Sequence, residues 1–168
     1  MEYQHVTHEF PALIDKDCRV LILGSIPSPK SREQAFYYGH PQNRFWRVMA
    51  AVLGESVPQT IDEKKDMMLR HHIALYDSLE ECDIRGAGDS SIKNPVPADI
   101  AGLIKGTGIS AIFTTGSASY KYYEKYSEEK TGIRAVKLPS TSPANCAVSF
   151  DELVNEYSNI GKALQRSL

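Results

Sequence analysis

An α/β sandwich is the fold this sequence predicts, a three-layer α/β/α arrangement around a central four-stranded, mainly parallel sheet. Three observations carry that expectation. Apolar runs at residues 20–23, 73–76, 111–114 and 135–138 are continuous rather than alternating, as suits strands covered on both faces. Segments with helical periodicity lie between them. Strand and helix following one another imply right-handed crossovers. The chain has 168 residues, enough for one full core, and residues 1–168 are predicted to form a single domain.

Taken in order, the first run leads into a turn of small residues, Gly24-Ser25-Ile26-Pro27-Ser28-Pro29. Phe45, Val48, Met49, Val52 and Leu53 then share one helical face. Residues 62–70 predict a second helix ahead of the second strand. Residues 80–97 hold Asp83, Arg85, Gly86, Gly88, Asp89 and Ser90, and predict a loop that packs over the site. Residues 117–130, with tyrosines along one side, predict a third helix. Phe150, Leu153, Val154, Tyr157, Ile160 and Leu164 mark a C-terminal helix, with Ser149 and Glu152 as its capping box.

Composition narrows the partners. Net charge is -2, so nothing in bulk draws the chain to nucleic acid, and a DNA partner requires a local basic face. Lys30, Arg32, Arg44 and Arg47 are candidates for one, against the plainer reading that they are solvated surface charges. Cys18, Cys82 and Cys146 are widely spaced, which argues against a zinc ribbon, an iron–sulfur cluster or a disulfide framework. They suit a reducing, cytoplasmic compartment. The first residues lack the pattern of a signal peptide, and no apolar stretch nears the ~20 residues of a membrane span. His71 and His72 are adjacent and project apart on a helix, while His5 and His8 fall in a segment expected to be mobile. No metal site is expected.

In a fold of this class the site lies beyond the carboxyl ends of the strands. Three of those ends share a chemistry: Gly24 to Ser28, Thr114-Thr115-Gly116-Ser117, and Pro139-Ser140-Thr141-Ser142-Pro143-Ala144-Asn145. Gly and Ser let backbone approach a ligand closely and offer N–H and O–H donors. The first turn lacks the Gly-Lys-Ser/Thr ending of a P-loop and the flanking glycines of a nucleophile elbow. A Ser25–His40–Asp77 triad therefore has little behind it, and a small-molecule hydrolase using Ser25 or Ser28 is only a competing reading. The segment Tyr38-Gly39-His40-Pro41-Gln42-Asn43-Arg44-Phe45-Trp46 gathers an aromatic ring, an imidazole, two amides and a guanidinium, groups that suit a site for a planar base. Each has a plainer role as well: Phe45 and Trp46 as core, Tyr38 as a packing aromatic, Asn43 as a helix cap worth about 1 kcal/mol.

Three stretches carry a resemblance that covers nearly the whole chain: Gly24 to Ser28, Gly39 to Trp46, and Leu138 to Asn145. On them the chain resembles the uracil-DNA glycosylase superfamily, and most of all its hypoxanthine-DNA (deoxyinosine) glycosylase branch, related to the mismatch-specific uracil glycosylases. Two positions depart from the wider pattern. Ile26 stands where most members carry a water-positioning Asp or Asn, and Leu138 where the second motif often begins with His or Asn. The resemblance implies a base-excision repair enzyme that hydrolyses the N-glycosidic bond of a flipped deaminated base, hypoxanthine first and uracil next. It implies a monomer acting on DNA without cofactor, metal or membrane. Catalysis falls to Asn43. Base binding falls to Gly24, Ser25, Ile26, Pro27, His40 and Thr115, with Tyr38 as the stacking face. DNA contacts fall to Ser28, Arg44, Ser140, Thr141, Ser142 and Asn145. The alternative is a non-catalytic nucleic-acid-binding domain of the same fold.

Overall fold

The computed structural model describes residues 2–166. Its elements run β1 (Gln4–Thr7), β2 (Val20–Gly24), α1 (Pro29–Gln34), α2 (Phe45–Leu53), α3 (Ile61–Arg70), β3 (Ile73–Asp77), β4 (Leu79–Ile84), β5 (Lys93–Pro97), α4 (Ile100–Ile104), β6 (Ala111–Thr115), α5 (Ser117–Tyr126), α6 (Glu128–Thr131), β7 (Val136–Leu138) and α7 (Phe150–Arg166). The predicted apolar runs form one parallel sheet of four strands in the order β3-β2-β6-β7.

Alternate residues of β2 feed two cores, and this makes the three layers. Val20 and Ile22 pack with Phe45 and Met49 of α2, Met67 and Met68 of α3, and Leu153, Tyr157 and Ile160 of α7. Leu21 and Leu23 pack on the other face with Ile100 of α4 and Tyr123 of α5. A strand buried on both sides has no polar face to offer, which is why its sequence is a continuous apolar run. The carboxyl ends of β2, β3 and β6 open together at one end of the sheet. No helix among the described residues is long and apolar enough to cross a membrane.

A second sheet, antiparallel and in the order β1-β4-β5, was not expected. It replaces most of the loop predicted over 80–97 and orders the N-terminal segment predicted to be mobile. His5 lies in β1 and its ring bonds Asp83 and Glu81, while His8 N–H donates to the Glu80 carbonyl at 2.7 Å. The physical reason is in β4. Its register shifts between Leu79 and Glu81 and again between Glu81 and Asp83, so its buried residues, Leu79, Cys82 and Ile84, do not alternate cleanly. β5 contains Pro95 and Pro97, which a sheet tolerates at its edge. Val6, Ile26, Leu79, Cys82, Ile84 and Tyr122 form a third apolar cluster that docks this sheet on α5 and the first turn.

Two smaller differences concern boundaries. The helix predicted over 117–130 breaks at Ser127, which leaves the helical region and separates α5 from α6. β7 is an edge strand: Val136 is exposed and only Leu138 is buried, so the fourth run is less covered than its composition suggested. Ser149 caps α7 as expected, accepting from Glu152 N–H at 3.1 Å and donating to its carboxylate at 3.2 Å.

Candidate active site

The strand ends enclose a cavity of about 300 Å³. Its lining includes Gly24, Ser25, Ile26, Pro27 and Ser28 after β2, Asp77 at the end of β3 and Thr115 at the end of β6. Tyr37, Tyr38, His40 and Asn43 come from the segment before α2, and residues 140–144 from the loop after β7. Every residue expected to bind the base lines this cavity, and so does Asn43. Of the residues expected at DNA, Ser28, Ser140, Thr141 and Ser142 line it, whereas Arg44 and Asn145 do not.

Tyr38 has φ +53°, a conformation that side-chain-bearing residues adopt at a cost. What holds it there is visible. Its ring stacks on Phe45 with centroids 3.8 Å apart and planes 9° apart, and its hydroxyl bonds Thr115 Oγ1 at 3.2 Å. Trp46 Nε1–H donates to the Tyr37 carbonyl next door. Phe45 is fully buried, so one face of Tyr38 rests on the core while the residue itself borders the cavity. Burial, reinforced by the Asp77 charge, pushes the Tyr38 phenol well above its usual range and keeps it protonated.

Asn43 is not the cap expected of it: Arg44 holds the N-cap position of α2, without a side-chain bond, and Asn43 lies one residue before it. Its Oδ1 accepts the Phe45 N–H at 2.9 Å, the local bond a helix start invites. The bond takes one of the oxygen's two lone pairs and fixes the amide, and the NH2, which bonds no other group among the described residues, can donate into the cavity. His40 is oriented in a similar way: its Nδ1 accepts the Gln42 N–H at 3.1 Å, which leaves Nε2 to carry the proton.

The loop after β7 is held from beneath. Arg44 donates to the carbonyls of Val148 (2.6 Å) and Asn145 (3.0 Å), and Asn145 Nδ2 donates to the Ser140 carbonyl (2.9 Å). Tyr157 Oη donates to the Pro139 carbonyl at 2.6 Å. Arg44 and Asn145 thus brace the loop. Ser140 Oγ and Ser142 Oγ accept backbone N–H groups from Ser142 and Ala144, which leaves their hydroxyl protons to donate elsewhere. Ser28 spends its hydroxyl proton on Ser31. Of the four basic residues near the motif, Arg32 donates to the Pro27 carbonyl, Lys30 pairs with Glu33, and Arg47 is exposed.

Two carboxylates complete the cavity, and sequence reasoning gave neither a working role. Asp77 is 5% exposed and its Oδ2 accepts from His8 Nε2 at 2.7 Å. His8 is itself buried, between Phe10 and Tyr76. A Cβ on Gly24 would stand 2.6 Å from Asp77 Oδ1, so glycine is what lets the first turn approach that carboxylate. Asp89 stands on the turn between β4 and β5, beside Gly86 and Ala87, which also line the cavity. It is exposed as a residue, yet its Oδ1 accepts the Ser25 hydroxyl at 2.8 Å. Burial of the carboxyl pushes its pKa above the ordinary aspartate value; the Ser25 bond opposes this and the Asp77 charge adds to it. Ser25, His40 and Asp77 therefore have separate partners and form no triad. Asp77 directly follows the second predicted strand, so the strand-end rule could have found it; Asp89 falls within the loop expected over the site, which gave it no role; nothing local in the sequence pointed at His8.

Fold and cavity together define a uracil-DNA glycosylase-like protein. A solution NMR structure from Methanosarcina acetivorans, provisionally named a uracil DNA glycosylase, superposes with a TM-score of 0.80 at 30% identity, covering 93% of this chain and 96% of its own. A hypoxanthine DNA glycosylase of Methanosarcina acetivorans is 34% identical over 137 residues, 81% of this chain and 86% of the relative. Another, from Methanosarcina barkeri, is 37% identical over 87 residues, 51% of this chain and 54% of the relative. No family model matches. The chain belongs to the hypoxanthine DNA glycosylase family of the uracil-DNA glycosylase superfamily.

Proposed function

We propose that the cavity takes a deaminated base flipped out of DNA, hypoxanthine foremost and uracil next, and that the protein cuts its bond to the sugar. As a member of its family the chain is a DNA glycosylase, a hydrolase of N-glycosyl bonds.

The observation that carries the choice of base is the buried Asp77 carboxylate in the cavity. Deamination turns N1 of adenine from a lone pair into an N–H, and does the same at N3 of cytosine. A fixed carboxylate has only acceptors to offer, so it pairs with the N–H and repels the lone pair of the undamaged base. A site built on such a bond rejects the analogue that lacks the donor, because the buried group is then left without a partner. Tyr38 supplies the stacking face, worth about 1–3 kcal/mol per base.

Asn43 acts on the departing base. Its free group is a donor, which stabilises negative charge building on the base and cannot take a proton from water. Hypoxanthine leaves as an anion more readily than adenine does, since its oxo group carries the charge, and this suits an amide as the group on the leaving side. The Ser140 and Ser142 hydroxyls suit the phosphates flanking the flipped nucleotide. Three free cysteines, two of them buried, fit a cytoplasmic setting, and the reading requires one copy of the chain, a monomer on DNA with a single damaged base.

The test is single-turnover release from duplexes that each carry one modified base, scored for abasic sites. Wild type is expected to free hypoxanthine from a deoxyinosine duplex. Asn43→Ala is expected to slow that release by about 10²–10³-fold, as when one transition-state donor is lost. Equal rates in the two proteins would move the chemistry away from Asn43.

A further inference from the structure

We propose that Asp89 is a second catalytic group: its Oδ2 holds the water that attacks the sugar C1′ and takes a proton from it. This rests on the base-excision reading above.

Hydrolysis needs a group that accepts from the attacking water. The first turn has Ile26 at the place where the resemblance leads one to look, and that side chain packs into the third apolar cluster. Asn43 offers a neutral amide whose oxygen already accepts the Phe45 N–H, and an amide is too weak a base to take a proton from water. Two carboxylates remain in the cavity, and depth separates them. Asp77 is buried, bonded to His8 and pressed against the Gly24 backbone, where a base inserted edge-first would end. Asp89 stands on an exposed turn and lines the same cavity from its solvent side. Ser25 fixes one Asp89 oxygen, and the other has no hydrogen-bond partner among the described residues. That free oxygen is the one to which the attacking water is assigned.

In the step, a water lone pair forms the C1′–O bond as the C1′–N bond breaks, and its electron pair stays on the base. One water proton goes to Asp89 and on to solvent; the base anion regains a proton from solvent. Products are the free base and an abasic sugar bearing the water's hydroxyl.

The titratable groups facing Asp89 are few. Asp77 comes from β3, Cys82 from β4 and Tyr122 from α5. Burial holds the Cys82 thiol up at about 11 and raises the Tyr122 phenol, so both stay neutral across the working range. Asp77 is then the neighbouring charge that matters. Burial of the Asp89 carboxyl and the Asp77 charge both keep a proton on it to higher pH, so its service as a base is lost as pH falls through that raised value.

Asp89→Asn is the discriminating variant, since its amide oxygen still accepts from Ser25 while its basicity is gone. Single-turnover excision from the deoxyinosine duplex is expected to fall about a hundredfold or more, within the usual range for a general base. The acid limb of the wild-type pH profile is expected to flatten, with duplex affinity unchanged. A merely structural role for Asp89 predicts the wild-type rate and profile in Asp89→Asn, and that result overturns the proposal while leaving base excision standing. If wild type frees no base from any duplex, the excision reading itself falls and this proposal with it.

Discussion

Asp77 and Asp89 bring carboxylates into the same cavity from opposite kinds of structure. Asp77 is the last residue of a strand in the parallel sheet, closed in by His8, Gly24 and the aromatic rings around them. Asp89 is on a turn at the tip of the antiparallel sheet, anchored to the rest of the site by one bond to Ser25. The floor of the site is thus part of the core, and its geometry is fixed by burial. The rim is attached to the core and is fixed by hydrogen bonds. Changes to the floor are expected to show in stability and activity together, and changes to the rim in activity alone.

The largest test of that contrast is Phe45→Ala. Phe45 is fully buried beneath Tyr38, so its removal is expected to cost about 3–5 kcal/mol in denaturant unfolding and to loosen the stacking face as well. Gly24→Ala comes next. The added methyl meets the Asp77 carboxylate, and overpacking of this kind costs about 1–3 kcal/mol. Its excision rate is expected to fall in parallel, which enzyme assays on the same preparation will show. The smallest effect, and the sharpest, is the stability of Asp89→Asn. A carboxyl whose folded pKa is raised favours the folded state least once it ionises. Its penalty is absent below the ordinary aspartate value, grows as pH rises from there to the raised one, and is fully present above it. Thermal unfolding of Asp89→Asn should therefore match wild type at low pH and sit at or slightly above it near neutrality. A clear loss of stability there would place Asp89 in the floor rather than the rim.

The same division explains what could be read from the sequence. The parallel sheet announced itself because strands buried on both faces must be apolar throughout, as Val20 to Leu23 are. The second sheet did not. Leu79-Glu80-Glu81-Cys82-Asp83-Ile84 is rich in acidic residues and bulged, and Lys93 to Pro97 has two prolines, so both look like loop until a partner strand is supplied. With that sheet unseen, Asp89 was one turn residue among several. Tyr38 and Asn43 were legible from their neighbours in the sequence. That the Asn43 oxygen is held by the backbone was not, because it depends on a backbone N–H two residues on.

His8 meets Asp77 across 69 positions of sequence, by way of a strand that precedes every motif. Residues 4–8 are therefore part of the framework that holds the cavity floor. A shortened chain beginning at Phe10 would retain each motif and the whole parallel sheet, yet it would release the carboxylate at the bottom of the cavity from the His8 side chain that anchors it. For anyone building on this scaffold, the first strand is active-site territory, and the freer place for alteration is the far end of α7.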